Sequence, residues 1–340
     1  MTHQRTVRVA VIGCGGAARD YHIRRPLKEF PEVQFKVVCE PSADSYAAAA
    51  AVFEECGVAP PPNEPDLQKL LSDYAGELDV AVIATPHVYH CDQSVQCMQA
   101  GLDVLLEKPM AMNAAESQRM IDVRDETGKL LVVAFDGGLS PYIHTAAALL
   151  RAGEIGTVRR ITGVVWQNWR AITVGTWRQR IEISGGGFMF DTGAHMLNTI
   201  CELSHEPITE VMAWVENLDS PVDAQALIIA RLASGALITM NGCGDTGVGG
   251  CESEIRVFGT KGMLRTGIWG EFLEKMGAGE EVFHPVSVPR RQSTWLHFLA
   301  VRNGELPNPC PPEVGLRMAR LWDAIQTSSA QNGKPIQVQS

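Results

Sequence analysis

The sequence lacks the features of a disulfide-stapled, membrane-spanning or nucleic-acid-binding protein. Its nine cysteines are an odd number and no two of them form a Cys-x-x-Cys pair, so neither a disulfide framework nor a structural zinc site is expected. No stretch approaches the roughly 18 apolar residues of a membrane span, and the first residues do not read as a secretory signal. The formal net charge of -10 would repel nucleic acid and anionic membranes. We therefore expect a cytoplasmic protein with free thiols and with neither of these partners.

What the sequence does contain is an alternation of short β-rich runs and helical patterns over its first 135 residues. The chain of 340 residues is long enough for about two domains. Apolar strands separated by helices predict a parallel sheet with helices on both faces. The predicted strands are Val7–Ile12, Val33–Cys39, Leu78–Ala84, Asp103–Leu106 and Leu130–Ala134, and the predicted helices are Ala17–Phe30, Asp44–Glu55, Asp66–Leu71, His90–Ala100 and Asn113–Thr127.

From residue 136 onward, strand-like runs follow one another without long helices between them. This pattern predicts a mixed or largely antiparallel sheet, and therefore a second domain over residues 136–340. The predicted strands are Arg159–Val165, Val211–Glu216, Ala226–Ala233, Ala236–Asn241 and Glu254–Phe258, the predicted helices are Tyr142–Ala152 and Pro312–Gln326, and the glycine-dense Asn241–Gly250 is expected to be a loop or turn.

A glycine-rich turn follows the first predicted strand directly and precedes the first predicted helix. Gly13, Gly15 and Ala18 stand in G-x-G-x-x-A register, with Gly16 in the same turn. In a dinucleotide-binding turn the first glycine permits the tight bend, the second lets a pyrophosphate approach the backbone, and the small third residue lets the helix pack closely on the strand. The free N–H groups at the helix N-terminus then face the phosphates. The turn therefore predicts a dinucleotide cofactor.

The choice between NAD and NADP depends on Glu40, which ends the second predicted strand. A carboxylate at this place can accept hydrogen bonds from a ribose diol and would repel a 2′-phosphate. Residues 41–45 contain no Arg or Lys that would receive such a phosphate. The sequence therefore favours NAD over NADP.

Three further motifs carry groups that could do chemistry. Thr85-Pro86-His87-Val88-Tyr89-His90 follows the third predicted strand, Glu107-Lys108-Pro109 follows the fourth, and residues 185–198 read GGGFMFDTGAHMLN. The first two lie at the carboxyl ends of sheet strands, where open α/β sheets bind their ligands.

Together with the glycine turn, these motifs resemble the glucose–fructose oxidoreductase/inositol dehydrogenase (Gfo/Idh/MocA) family over nearly the whole chain. The resemblance implies a doubly wound Rossmann domain over residues 1–135 and an α+β domain over 136–340 with an open, largely antiparallel sheet. It implies an NAD-dependent homodimer or homotetramer that transfers a hydride between nicotinamide and a CH–OH or C=O carbon of a sugar, cyclitol or related polyol. The motifs that carry the resemblance are the glycine turn, Glu107–Pro109, Gly153–Gly156, Thr176–Arg178, Gly185–His195 and Gly259–Gly262.

The same resemblance implies which residues form the site. Lys108, Asp191 and His195 match the catalytic positions, and the substrate is expected to contact these three together with Trp177 and Arg178. The cofactor is expected to contact Gly13, Gly15, Gly16, Ala18, Glu40, Thr85, Pro86, His90, Glu107 and Lys108.

The chemistry of Lys108, Asp191 and His195 suits the oxidation of an alcohol independently of the resemblance. A neutral imidazole is a suitable base near neutral pH, and a protonated lysine can stabilise alkoxide character in the transition state. If residues 189–203 form a helix, Asp191 and His195 share a face of its first turns, where the helix dipole favours the neutral imidazole. Whether Lys108 or His195 is the principal base stays open.

The sequence also bears on metal binding, on the charge of the substrate and on two alternative functions. His87 and His90 are three apart, but no nearby carboxylate or Cys completes a ligand set, so no metal is expected. Relatives often carry a basic segment where this chain reads Phe135-Asp136-Gly137-Gly138-Leu139, which puts an anionic or phosphorylated substrate in doubt. The alternative functions are an NAD-dependent glycosidase that uses transient internal redox, and a non-catalytic NAD-binding sensor.

Overall fold

The computed structural model describes residues 6–289 and 293–339, which divide into two compact units. Within these described ranges no helix has both the length and the apolar character to cross a membrane. The first unit comprises Met1–Ala111, Ala115–Ala134 and Trp295–Pro312, and the second comprises Met112–Ala114, Phe135–Thr294 and Glu313–Ser340.

The first unit is built on a five-stranded sheet whose neighbouring strands all run parallel. The strand order β2-β1-β3-β4-β5 places β1 between β2 and β3, at the point where the order reverses. The predicted parallel sheet is therefore confirmed. Its strands are β1 (Val7–Ile12), β2 (Val33–Cys39), β3 (Val80–Ile83), β4 (Asp103–Glu107) and β5 (Leu131–Ala134), and its helices are α1 (Arg25–Glu29), α2 (Ala43–Glu55), α3 (Leu67–Tyr74), α4 (His90–Gln99) and α5 (Ala114–Thr127).

Local chemistry explains where two of these helices begin. The side chain of Ser42 accepts a hydrogen bond from the amide of Ser45 at the start of α2, and Asp66 does the same for Lys69 at the start of α3. Both are residues that favour the position before a helix, because their oxygens pair amides that the helix leaves without a partner. The predicted first helix differs in detail, since Ala18–Arg24 forms a π-helical stretch before α1 begins.

The second unit contains a nine-stranded sheet of order β13-β12-β11-β10-β6-β9-β8-β7-β14. All neighbours run antiparallel except β6 and β9, so the predicted largely antiparallel sheet is confirmed. Its strands are β6 (Val158–Gln167), β7 (Ile208–Glu216), β8 (Gln225–Leu232), β9 (Leu237–Cys243), β10 (Cys251–Gly259), β11 (Gly262–Thr266), β12 (Leu273–Gly277), β13 (His284–Pro285) and β14 (Ile336–Gln337).

One helix of the second unit is buried almost along its whole length and packs closely on the sheet. A Cβ on Gly163 of β6 would lie 2.9 Å from side-chain atoms of Ile200 and Met196, so the glycine sets how near the helix can come. This buried helix is α10 (Gly193–Ser204). The remaining helices that the structure describes are α6 (Pro141–Arg151), α7 (Trp169–Thr173), α8 (Ile181–Ser184), α9 (Phe188–Asp191), α11 (Thr294–Arg302) and α12 (Pro312–Ala330).

The division of the chain is less simple than residues 1–135 and 136–340, because Trp295–Pro312 belongs to the first unit. Arg302, which lies 2.9 Å from Asp103, forms an ion pair there. Cys310 accepts a hydrogen bond from Val133 on the outer edge of β5, and the Asn308 side chain donates to Leu131. The segment thus covers an edge strand that would otherwise leave its amides unpaired.

Candidate functional site

The glycine turn after β1 is fixed by a contact that only glycine allows. Gly13 has a φ of +87°, and a Cβ there would lie 2.8 Å from the carbonyl oxygen of Ala84. Gly15 and Gly16 are exposed, and a Cβ on either would meet nothing within 4 Å. Ala18 is fully buried in the core. The first glycine therefore holds the bend, while the next two leave the backbone open to a phosphate group.

Glu40 lies buried at the end of β2 and already has two partners. Its carboxylate accepts hydrogen bonds from the amide of Cys14, at 2.7 Å, and from the amide of Ser42, at 2.8 Å. The side chain of Asn63 brackets the backbone of Glu40, accepting from its amide and donating to its carbonyl. A carboxylate has about four lone-pair sites, so two remain for ribose hydroxyls. The role of Glu40 in holding the glycine turn, and that of Asn63, were not predicted.

Arg19 is a cationic residue beside the glycine turn that sequence reasoning missed. One terminal nitrogen of its guanidinium donates to the carbonyl of Cys14 at 2.7 Å. The side chain is therefore held against the turn with donors to spare. Its place one residue after Ala18, at the start of the predicted first helix, was the signal that could have singled it out.

His90 is fully buried and links two of the predicted motifs. Its two ring nitrogens lie 2.8 Å from the carbonyl oxygens of Thr85 and Pro109. Burial lowers the pKa of His90, although both carbonyls act in the opposite direction. His90 thus braces the loop after β3 against the loop after β4, and its contact with the cofactor stays a prediction. Pro86, half-buried, lies between Thr85 and the short helical turn that leads into α4.

The carboxylate of Glu107 pairs with a buried histidine. Its Oε1 lies 2.8 Å from Nε2 of His22, which is 1% exposed. Its Oε2 accepts from the amide of Lys108 at 3.2 Å, and the Lys108–Pro109 peptide is cis. Burial would raise the pKa of Glu107, but the hydrogen bond with His22 and nearby positive charge lower it. No local pattern links residues 85 positions apart, so His22 was missed.

Asp191 accepts hydrogen bonds from two neighbouring side chains in the second unit. Its Oδ2 accepts from the indole nitrogen of Trp169 at 2.9 Å and from Nε of Arg178 at 3.0 Å. The Arg178 guanidinium lies 4.6 Å from the centre of the Trp177 ring. Trp177 and Arg178 are half-buried, whereas Trp169 is buried. The structure therefore brings the two predicted substrate residues to one predicted catalytic residue.

His195 lies in the first turns of α10 and is 7% exposed. Its imidazole is flanked by the ring of Phe135, with centroids 6.4 Å apart, and by that of Trp269, at 5.8 Å. The expected single helix over 189–203 is instead two helices that meet at Thr192, and the amide of His195 bonds to the carbonyl of Thr192 in a tighter turn. Trp269 was not among the predicted residues.

The glycine run before α9 is held by Asp223, a buried residue that sequence reasoning also missed. Its carboxylate accepts from the amides of Gly187 and Met189, and its carbonyl oxygen accepts from Phe188. A Cβ on Gly187 would lie 2.1 Å from that carbonyl oxygen. Burial raises the pKa of Asp223, while the two amide bonds oppose this. The clamp fixes the start of the short helix that ends in Asp191.

The segment Phe135–Leu139, which carries no basic residue, packs on α10. A Cβ on Gly137 would lie 2.1 Å from the hydroxyl oxygen of Thr199. That hydroxyl in turn donates to the carbonyl of Ile268 at 2.7 Å. A larger residue at position 137 would not fit, so the packing of this unit requires a glycine there.

The candidate residues divide between the two units. The residues predicted to bind the cofactor, with Lys108, lie at the carboxyl ends of β1 to β4 in the first unit, and Trp177, Arg178, Asp191 and His195 lie in the second. His87 and His90 have ring centroids 5.7 Å apart. Over the described ranges, no cluster of three or more His, Cys, Asp or Glu side chains is arranged to hold a metal.

An open groove of about 570 Å³ lies beside Thr85 in the first unit. Thr85 donates to Gln93, one of the lining side chains, at 2.6 Å. None of the lining residues is basic; they are Pro65, Asp66, Leu67, Gln68, Tyr89, Asp92, Gln93 and Gln96. The groove therefore offers apolar and amide groups and negative charge, which do not suit a phosphate.

Two family models match the chain. One, described as an oxidoreductase family with an NAD-binding Rossmann fold, matches residues 7–135. The other, described as the GFO/IDH/MocA C-terminal domain, matches residues 143–265. The first match lies mainly in the first unit of the structure and the second lies in the second unit.

Individual proteins resemble the chain at lower identity. It is 31% identical over 200 residues to an oxidoreductase subunit of Amycolatopsis mediterranei named for UDP-kanosamine synthase, covering 58% of this chain but only 52%, about half, of that protein. It is 27% identical over 292 residues to a scyllo-inositol 2-dehydrogenase (NADP(+)) of Bacillus subtilis, covering 78% of this chain and 80% of that one. A levoglucosan dehydrogenase solved with NADH and levoglucosan superposes with a TM-score of 0.84 at 21% identity, over 99% of this chain and 100% of that chain. This last likeness establishes the common fold.

Proposed function

Because the chain belongs to the Gfo/Idh/MocA oxidoreductase family, we propose that it interconverts a CH–OH and a C=O carbon of a sugar, cyclitol or related polyol with NAD(H). The observation that carries the proposal is the turn at Gly13–Gly16, where one glycine is enforced by contact and the next two leave the backbone open. Relatives named for levoglucosan and scyllo-inositol support the substrate class.

The cofactor is proposed to be NAD. Gly15, Gly16 and Arg19 would hold its pyrophosphate, and the two free lone-pair sites of Glu40 would accept its ribose hydroxyls. A 2′-phosphate would meet the negative charge of Glu40, Asp66 and the groove beside Thr85. The relative that is named for NADP(+) shares only 27% of its residues with this chain over the aligned part.

The catalytic residues are proposed to be Lys108, Asp191 and His195. When bound, the nicotinamide supplies the acceptor or donor for the two electrons. His195 would take the alcohol proton, and Lys108 would stabilise negative charge on the oxygen. Asp191, through Trp169 and Arg178, would keep the substrate-binding side chains in place.

Cofactor binding can be tested without any substrate. A Cβ on Gly15 meets nothing in the protein, so Gly15→Ala is expected to leave the thermal unfolding temperature unchanged. It would occupy the space a pyrophosphate needs, so NADH affinity by fluorescence titration is expected to fall by about tenfold or more. The matched control is Gly76→Ala, an exposed glycine of the same unit with equally open surroundings. Equal NADH affinity in the two variants would contradict the proposed cradle.

Turnover is tested by absorbance at 340 nm while the protein and NAD are screened against sugars, cyclitols and sugar acids. Steady NADH production with one class is expected, and Lys108→Ala and His195→Asn should lower kcat by about 10²–10⁴-fold. Lys28→Ala, at an exposed lysine of α1, is the control.

Release of aglycone from a nitrophenyl glycoside without NADH accumulation would instead identify the glycosidase. NADH binding without turnover, indifferent to Lys108→Ala, would identify a sensor.

The remaining expectations concern assembly and compartment. A homodimer or homotetramer is proposed because the sheet of the second unit carries exposed apolar residues on one face, among them Val164 and Leu227. All nine cysteines are free, which supports a reducing compartment such as the cytoplasm. The formal charge of -10 supports the absence of nucleic-acid and membrane partners.

A further inference from the structure

Trp269 lies in a turn that the rest of the second unit holds rigidly. The turn joins β11 to β12, and its neighbour Ile268 is fully buried. The amide of Ile268 donates to the hydroxyl of Ser253 at 3.1 Å, and its carbonyl accepts from Thr199. Trp269 itself is half-buried. A large aromatic ring is thus presented on backbone that is fixed on both sides.

The residue after Trp269 adds a second constraint. Gly270 has a φ of +64°, and a Cβ there would lie 2.2 Å from the hydroxyl oxygen of Ser140. That hydroxyl donates to the carbonyl of Gly270 at 2.8 Å. The turn therefore cannot swing outward without losing hydrogen bonds to α10 and to the start of α6. Side chains held this way are suited to recognition because binding does not have to order them.

The ring of Trp269 is directed at His195. The two ring centroids are 5.8 Å apart with their planes at 55°, while Phe135 lies against His195 edge-on. A substrate whose hydroxyl reaches the imidazole would bring its carbon skeleton beside the indole. The apolar C–H face of a six-membered polyol ring suits an aromatic face, whereas a flexible acyclic polyol offers no such face.

The charges around this part of the unit point to a neutral ligand. The segment next to Phe135 contributes Asp136 and two glycines and carries no basic residue. Arg178, a cation of this unit, is paired with Asp191.

We propose that Trp269 is the platform on which the ring of a neutral cyclic polyol, a pyranose or a cyclitol, stacks while His195 contacts its reacting hydroxyl. The inference rests on the proposed function, and narrows its substrate class to rings over acyclic polyols. Trp269 is then a specificity-determining residue that sets affinity for the ring.

The test compares ring and acyclic probes on the NADH-loaded protein by calorimetry. Methyl β-D-glucopyranoside and myo-inositol are the rings, and D-glucitol is the acyclic probe. Trp269→Leu removes the aromatic face and Trp269→Phe keeps one. Phe283→Leu, which alters another half-buried aromatic of the same unit, is the control.

The wild type is expected to bind at least one ring more tightly than D-glucitol. Trp269→Leu should weaken that binding by about tenfold, leave D-glucitol unchanged, and be largely rescued in Trp269→Phe.

Several results would overturn the platform. For the wild type, they are preferential binding of D-glucitol or no binding of either ring. For Trp269→Leu, they are an unchanged ring affinity or an equal loss of affinity for all probes. The equal loss would indicate that Trp269 has only a structural role. These results are separate from failure of the proposed function. That failure would appear as lost NADH binding in the wild type, or as turnover indifferent to Lys108→Ala, whatever Trp269 does.

Discussion

At the scale of single residues, His90 illustrates how a side chain can serve a site from inside the core. Each ring nitrogen faces a backbone carbonyl, one on the loop after β3 and one on the loop after β4. A neutral imidazole has one N–H and so can pair only one of them. Protonation would pair both, but burial lowers the pKa of His90 because the charged ring would be removed from water. The brace is therefore sensitive to pH.

The sign of that sensitivity can be predicted. Because the folded-state pKa of His90 is lowered, the unfolded chain takes up the proton more readily as the pH falls through about 6.5. The contribution of His90 to the free energy of unfolding is thus full above that pH and is lost on acidification. His90→Phe is expected to lower the free energy of unfolding by about 1–3 kcal/mol at pH 7.5. The difference in this free energy between variant and wild type should narrow towards pH 5.

Urea unfolding at half-unit pH intervals measures this difference. His284→Phe makes the same change at an exposed histidine and should show no such narrowing. A gap that stays constant or widens on acidification would mean that His90 is charged in the folded protein at these pH values.

Local rules identified some of the candidate residues and not others. Gly13 and Glu40 follow from the position of a turn and a strand end, which are visible within a few residues of sequence. His22 contacts a partner 85 positions away in the sequence. Asp223 contacts partners 36 and 34 positions away. No periodicity encodes such pairs, because they depend on how strands and helices are packed against one another.

At the scale of elements, the short helix before His195 shows what fixes a candidate catalytic segment. Phe188–Asp191 has only four residues, too few for helix propensity to stabilise it. The carboxylate of Asp223 instead pairs the amide of Met189 in the helix and that of Gly187 directly before it. The conformation of Asp191 therefore depends on a residue in the loop before β8.

Asp223→Asn tests that dependence. The amide side chain has one acceptor oxygen where the carboxylate has two, so one of the two amides loses its partner and meets an NH₂ group. The free energy of unfolding is expected to fall by about 1–3 kcal/mol, and polyol turnover should fall with it as Asp191 shifts. Asp219→Asn, at an exposed position in the same loop, should change neither. Full turnover in Asp223→Asn would show that the clamp does not position Asp191.

The elements themselves were predicted where the hydrophobic pattern was strong. Val7–Ile12 and Val33–Cys39 were predicted with the bounds that the structure gives. The helix α11 was missed, although Arg302 within it and Cys310 beyond it tie this segment to the first unit. The break at Thr192, where the amide of His195 bonds to the carbonyl of Thr192 in a tighter turn, was also missed.

At the scale of the whole molecule, the sequence pattern predicted the two kinds of sheet but could not give the order of strands. In the larger sheet β6 pairs with β9 in parallel and with β10 antiparallel. These pairings join segments about 80 to 100 residues apart, which alternating hydrophobicity does not specify.

The order of strands places exposed apolar residues side by side. Leu227 faces Trp214 across β7 and β8, and Ile229 follows two residues later on the same strand. Their exposed fractions are 45%, 38% and 36%. Val164, 42% exposed, extends this row through Asn241 of β9. An apolar row on an open sheet is unusual at a surface that stays in water, which supports a second copy of the chain on this face.

Leu227→Glu should therefore dissociate the assembly. A carboxylate at the centre of the row would be buried without a partner against the second copy, at a cost that exceeds what a few apolar contacts contribute. Size-exclusion chromatography with light scattering is expected to give a dimer or tetramer for the wild type and a monomer for the variant. Leu218→Glu introduces the same charge at a 48% exposed leucine in the turn between β7 and β8 and should remain assembled. A monomeric wild type, or a Leu227→Glu protein of unchanged mass, would mean that this face of the sheet is not where copies of the chain meet.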